Sequence, residues 1–373
     1  MKKVFFFFII CCFSAVVQAQ DIEVKFGPMT PETRSTMIRN AHVVGDKVFT
    51  VQSIDPRDKR MSVVLYDAQT LTKNDSRFFK QFNCGDEKDC LESEYEYNRT
   101  SFFKENVVMF FETFDRKNDD HILWAQRTDF EGNFVGEMKK IDKIEAKRKS
   151  NAGTFLIEMN NDSTQFVVIT NPPFKRYNDE KFNFSIYGSD LKLLHSASLA
   201  LPMKDKNVSL QDYYLDNNGK VYILAHVELE KKDREKGKAR DYYTMFVINT
   251  ETKDVAEFAL NLEKRDVQDA TIRLDDENGK VLCAGFYSDL KAGKTYGNDI
   301  DGFFYMTIDI ASLTVEKVGT KKIEKKVILE LMNRKKAREG QGLSNNFEIL
   351  RVIGRSDGST TIVAEHRYVQ VVT

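Results

Sequence analysis

Among its 373 residues the chain has a single tryptophan, Trp124. Sugar-binding clefts use exposed aromatic faces, so that role would pass to tyrosines. There is no glycine-rich phosphate loop, and the Gly-x-Ser-x-Gly run Gly354-Arg355-Ser356-Asp357-Gly358 reads as part of a strand-to-strand turn rather than a strand-to-helix elbow. Together these remove P-loop nucleotide chemistry and the strand-turn-helix serine nucleophile. Beyond the first twenty residues no apolar run is long enough to span a bilayer as a helix, so no transmembrane anchor is expected. Neither sign of charge dominates: 56 Lys and Arg stand against 57 Asp and Glu, a net charge of −1. Bulk electrostatics therefore do not recruit nucleic acid. Cysteine is scarce, with five residues, and no second Cys/His pair completes a metal-ligand spacing. No metal site and no cofactor are expected.

The N-terminus reads as a targeting segment over residues 1–19. Lys2 and Lys3 are followed by an unbroken apolar run from Val4 to Phe13, and Val17-Gln18-Ala19 places small or neutral residues before a cleavage point. This is the pattern of a Sec-type signal peptide. Ile10 precedes Cys11 where lipoprotein processing needs a small residue. The expected destination is the periplasm, the outer membrane surface or the medium. Removing the segment leaves 54 basic against 57 acidic residues, a net charge of −3.

Cys84 and Cys90 bracket the polar loop Gly85-Asp86-Glu87-Lys88-Asp89. In an oxidising compartment a local disulfide is the simplest reading. Closing so small a ring contributes roughly 2 kcal/mol in the chain-entropy picture. Cys283 lies in the apolar run Val281-Leu282-Cys283-Ala284 and is expected to be a buried free thiol.

The remaining residues, 20–373, form one repeating domain. Asp67, Asp129, Asp190, Asn249 and Asp309 each open a tight turn between two strand-like segments, at steps of 62, 61, 59 and 60 residues. A period this regular means one structural unit stacked repeatedly. Within a unit, a short half-apolar strand A is followed by a polar turn such as Asn217-Asn218-Gly219-Lys220, then by the apolar strand B. Asn-Gly turns tolerate positive φ and signal hairpins. A longer polar segment leads to strand C, and a second tight turn leads to strand D. Four antiparallel strands per unit with no regular helix predict an all-β fold, a β-propeller of about six blades.

Blades are expected over residues 36–82, 100–141, 153–201, 210–262 and 270–318. The sixth begins with strand A at Phe347–Ile353 and strand B at Thr361–Ala364. It lacks strand C unless Tyr368–Val372 supplies it, which raises the alternative of a truncated fragment without independent function. Ile22–Phe26 resembles the D strands and could cover the open edge.

The A–B and C–D turns are short, and the B–C and D–A connections on the opposite face are long. Within the insertion 321–346, Ile323, Val327 and Leu331 recur every fourth residue, which predicts an amphipathic helix ending near Gly340. Long loops on a rigid scaffold are where binding concentrates. Aligned at the end of strand B, Ser53, Glu112, Asn171, His226, Phe286 and His366 exit toward that rim. Carboxylate and imidazoles there suit acid–base work. Strand ends are also polar simply because they meet solvent. Tyr177, Tyr243 and Tyr296 flank the B–C segments as candidate aromatic contacts.

The repeated Ser-x-Asp-x-Gly-x-Thr-Trp box of sialidase propellers is missing. In its signal segment, turns and repeat style the chain resembles the secreted β-propeller proteins of Gram-negative bacteria. That resemblance implies a propeller outside the cytoplasm and no particular activity. From loop asymmetry and missing motifs the leading expectation is a non-enzymatic binding module, its long-loop face turned to a protein or cell-envelope glycan. The alternative is a glycan-active hydrolase or lyase using carboxylates such as Glu112. That chemistry needs two carboxyl groups about 5–10 Å apart at a pocket.

Overall fold

The computed structural model describes residues 37–366 apart from 56–57, 79–81, 83–94, 235–238, 264, 291–298, 332–341, 345 and 355–359. The expected signal segment, the Ile22–Phe26 and Tyr368–Val372 strands, the Cys84–Cys90 disulfide and Tyr296 lie outside the described residues.

Five consecutive four-stranded antiparallel sheets follow one another along the chain. Blade one holds β1 (Met37–Val44), β2 (Lys47–Asp55), β3 (Asp58–Asp67) and β4 (Lys73–Phe78). Blade two holds β5 (Glu96–Phe102), β6 (Val107–Asp115), β7 (Asp120–Thr128) and β8 (Lys139–Glu145). Blade three holds β9 (Thr154–Met159), β10 (Gln165–Asn171), β11 (Asp179–Gly188) and β12 (Leu193–Lys204). Blade four holds β13 (Val208–Leu215), β14 (Lys220–Glu228), β15 (Asp241–Asn249) and β16 (Val255–Ala259).

Blade five holds β17 (Arg265–Asp275) and β18 (Lys280–Asp289), then β20 (Gly302–Asp309) and β21 (Val315–Lys322). The short β19 (Asp299–Ile300) pairs instead with β22 (Leu343–Ser344). A two-stranded sheet of β23 (Phe347–Gly354) and β24 (Thr360–His366) follows. The fold is a β-propeller, as the 60-residue period predicts.

The periodic acidic residues are turn caps. Asp67 Oδ1 accepts the backbone N–H groups of Gln69 and Thr70 at 3.0 and 2.7 Å. Asn249 Oδ1 accepts those of Glu251 and Thr252, and Asp309 Oδ1 accepts that of Ser312. Each of these turns closes through a left-handed residue, Leu71, Lys253 or Leu313. Blade three departs from the pattern: the residue opposite Gln165 is Gly188, so Asp190 sits two places further into its turn. In the A–B turn of blade four only Gly219 has positive φ, +80°, and the cap is Asp216 Oδ1, which accepts from Asn218 and Lys220 N–H.

The core lies between blades. The B strands β6, β10, β14 and β18 are buried on both faces. Apolar clusters join blades one and two, two and three, three and four, and four and five. Phe110 meets Phe166 edge-on across one such boundary, ring centroids 5.1 Å apart. Each large side chain fully buried this way contributes about 1.5–3 kcal/mol. Cys283 is fully buried and unpaired, as expected.

The A strands are innermost, with β1 against β5, β9 against β13, and β17 against both β13 and β23. All but β9 carry a β-bulge against strand B, skipping Arg39, Asn98, Gln211, Gln268 and Leu350. A bulge turns the next side chain out of the normal alternation. In four blades that next residue reaches the neighbouring one. Asn40 donates to Thr100 O at 3.0 Å and Arg99 donates to Ile157 O. Asp212 accepts from Thr271, and Asp269 accepts from the Ile349 N–H.

Among the described residues the predicted helix is present as α1, Lys325–Leu331. Ile323, Val327 and Ile328 pack against Phe286, Ile300 and Phe347, whereas Leu331 is 53% exposed. Among the described residues no helix is long and apolar enough to cross a membrane.

Candidate functional site at the rim of blades four and five

The six aligned B-strand ends do not form one constellation. Ser53 accepts from Arg39 at 3.3 Å. Glu112 spends both oxygens inside blade two, one on Asn98 and the other 2.7 Å from His121 Nε2. Phe286 is buried in the core, and His366 packs on Phe347 with centroids 4.7 Å apart. Asn171 borders a cavity in blade three, where Tyr177 stands 71% exposed on the adjoining loop. Glu112 is thus engaged as an acceptor within its own blade.

His226 and Tyr243 are brought together. They sit opposite each other in β14 and β15, and their rings lie 4.8 Å apart. His226 Nε2 is 3.5 Å from Asp241 Oδ1. The Tyr243 hydroxyl donates to Gln268 O at 3.3 Å, and Gln268 Nε2 donates to Asp266 Oδ2 at 2.9 Å. A relay thus runs from the B–C end of blade four to the bulged first strand of blade five.

Of these groups Asp241, Tyr243 and Asp266 border a cavity of ≈ 390 Å³ on the long-loop face. Leu229, Leu260, Leu262 and Val267 form its apolar wall, and Asp241, Tyr242, Arg265 and Asp266 its polar one. A concave site with few convergent polar groups is the usual form of a small-molecule pocket. Arg265 stacks over the Tyr287 ring, 4.8 Å from its centroid, and lies 3.6 Å from Asp289.

Asp266 is 5% exposed. Burial, and then the nearby Asp241 charge, push its carboxyl up to about 6, against the smaller opposing pull of Gln268 and His226. Burial also raises Asp269, which shares the field of His226. Tyr243 is held in its neutral form by burial and by the surrounding aspartates. Asp266 thus lines the cavity with a carboxyl raised toward the range in which it can act as an acid. Among the described residues no three His, Cys, Asp or Glu side chains converge as metal ligands.

Sequence reasoning named His226 and Tyr243 but not Asp241, Asp266 or Gln268. The available signal was an acidic residue set into the apolar series Leu260, Leu262, Val267 and Ala270.

No family model matches the chain, and no curated protein matches it in sequence. Solved structures do resemble it. The β-propeller domain of the Trilobed protease from Pyrococcus furiosus, described as having an open velcro topology, is 12% identical with a TM-score of 0.38, over 78% of this chain and 86% of that one. The Synechocystis apocarotenoid oxygenase is 9% identical with a TM-score of 0.36, over 76% of this chain and 59% of that one. The Pyrococcus horikoshii acylaminoacyl peptidase is 13% identical with a TM-score of 0.38, over 78% of this chain and 39% of that one. The expectation of a non-enzymatic binding module is corrected here: the propellers this chain resembles are named as parts of enzymes. The likeness is one of fold and transfers none of their activities.

Proposed function

We propose that the chain is an exported glycan hydrolase whose acid–base chemistry sits at the rim of blades four and five. One observation carries the reading: Asp266 and Asp241 share a cavity, and burial together with the Asp241 charge raises the Asp266 carboxyl. In this reading protonated Asp266 gives its proton to the departing glycosidic oxygen. Asp241, carrying the charge, draws a proton from the attacking water, with His226 holding its carboxylate at 3.5 Å. Tyr242 and Arg265 supply polar contacts to sugar hydroxyls, and the leucine wall excludes bulk water. The bond broken is the acetal C–O bond, and water supplies the incoming oxygen and the proton that restores Asp266.

The test is a screen of purified full-length protein against neutral and acidic polysaccharides, reading reducing ends released. Hydrolysis of at least one class, lost in Asp266→Asn and in Asp241→Asn, supports the reading. Hydrolysis that persists in both variants overturns it, as does a product carrying an unsaturated sugar end instead of added water.

A further inference from the structure

We infer that the cavity on the long-loop side of blade three is a second ligand site, one that takes an acidic saccharide. The glycan class follows the reading above; the site, its charge and its geometry stand apart from it.

The B–C segment of blade three is held in place although it has no strand structure. Asn151 accepts the Phe174 N–H at 2.9 Å and donates to the Phe174 carbonyl at 3.2 Å. Asp205 accepts the Lys175 N–H at 2.5 Å and donates its own N–H to Asn178 O at 2.9 Å. The segment nevertheless presents two aromatic rings to solvent, Phe174 at 53% and Tyr177 at 71% exposure. An exposed ring on a held backbone segment is a ready platform for the apolar face of a sugar, because little backbone ordering remains to be done on binding.

Beside this platform lies a cavity of ≈ 400 Å³, bounded by Asn171, Pro172, Pro173, Asn178, Glu180 and Asp205. Glu180 is only 4% exposed, and its carboxyl hydrogen-bonds that of Asp205. Two carboxyl groups in such contact share one proton. Burial first, and then this contact, push Glu180 up to about 8, so it is neutral at physiological pH.

With Glu180 neutral the balance of charge is cationic. Besides Glu180, the charged groups that line the cavity are Lys175, Lys181 and Lys204 against Asp179 and Asp205, in a chain whose net charge is −1. Lys204 is tied to Asp179 at 2.7 Å. Arg176 and Lys206 lie over the Tyr177 ring, 5.6 and 5.7 Å from its centroid. A sugar carrying a carboxylate uses every part of this arrangement: ring face on Tyr177, carboxylate on the lysines, hydroxyls on the amides and the neutral acid. A neutral sugar leaves the cations unused, and a small inorganic anion leaves the ring unused.

The experiment is calorimetric titration of the full chain with a galacturonate trisaccharide at pH 7. The uncharged galactose trisaccharide is the control, and inorganic phosphate the competitor. The acidic sugar should bind at least tenfold more tightly than the neutral one. Lys175→Glu combined with Lys181→Glu should weaken it at least tenfold, and Tyr177→Ala several-fold. Raising the pH through 8 should lower affinity in the wild type but not in Glu180→Gln, since ionised Glu180 repels the ligand carboxylate. Near-ultraviolet circular dichroism establishes that each variant is folded.

Equal affinity for both trisaccharides, no binding of either, or indifference to the lysine changes overturns the inference. So does complete displacement by equimolar phosphate, which would make this a simple anion site. Asp266→Asn should bind the acidic trisaccharide like the wild type. If that variant loses hydrolysis while binding here persists, the two sites are separate. If binding here fails while wild-type hydrolysis persists, only this inference falls.

Discussion

Thr271 donates a 2.6 Å hydrogen bond to Asp212 across the boundary between blades four and five. The same carboxylate oxygen accepts the Ile272 N–H at 3.2 Å. Asp212 can do this because the bulge at Gln211 turns it toward the next blade. Arg273, two residues beyond Thr271, passes the link onward by donating to Val352 O at 3.0 Å. The ring is therefore stitched along its axis by polar contacts as well as packed between blades by apolar ones.

Asp212→Ala should destabilise the domain by about 1–3 kcal/mol, because a hydroxyl and a backbone N–H lose their acceptor in a half-buried place. Denaturant unfolding checks this. A midpoint unchanged from the wild type would mean that water replaces the carboxylate without cost.

Gly285→Ala should be harmful for a different reason. A Cβ at this position would lie 2.0 Å from Asp269 O and 2.6 Å from Phe304 Cε1. The first contact is backbone, brought close by the bulge at Gln268, so it cannot swing aside. Overpacking of this kind costs about 1–3 kcal/mol. Thermal melting should show it, with little change of far-ultraviolet spectrum below the transition.

The repeat was legible because turn chemistry is local. A carboxylate or amide at Asp67, Asn249 or Asp309 must cap its own turn, so it recurs wherever the turn does. The axis was not legible, for the same bulges that build it. Skipping Arg39, Asn98, Gln211 and Gln268 breaks the two-residue alternation, and residues that face the next blade read as irregular polar segments. The site was half legible. His226 and Tyr243 follow from strand register within one blade. Asp266 comes from the next blade, and its relation to them depends on how blades pack. Glu180 lies in the charged run Asn178–Lys181, where nothing in the sequence marks one carboxylate as buried.

The rim site predicts a pH profile with a defined high-pH limb. Asp266 acts in its protonated form, and its carboxyl is pushed up to about 6 by burial and by Asp241. Activity on a glycan should therefore fall as pH rises through about 6. Asp241→Asn removes the neighbouring charge, so Asp266 should titrate lower in that variant. Carbon-13 NMR of labelled aspartate carboxyls resolves this shift even where the variant is inactive. An unmoved resonance would show that burial alone sets the value.

Glu180 predicts the stability of blade three against pH, and the sign follows from linkage. Its carboxyl is raised from the ordinary value of 4.5 to about 8 in the folded chain. Between those two values the folded state holds a proton that the unfolded state releases. Stability must then decline as pH rises across that window, with the contribution intact below it and lost above about 8. Glu180→Gln keeps a donor toward Asp205 but cannot ionise, so its stability should be flatter over the same range. Urea midpoints measured from pH 5 to pH 9, on the order of one unit apart, test this directly. Parallel curves for wild type and variant would mean that Glu180 ionises as freely in the fold as in the open chain. In that event the shared proton with Asp205 is absent, and the cationic balance around Tyr177 is smaller by one charge.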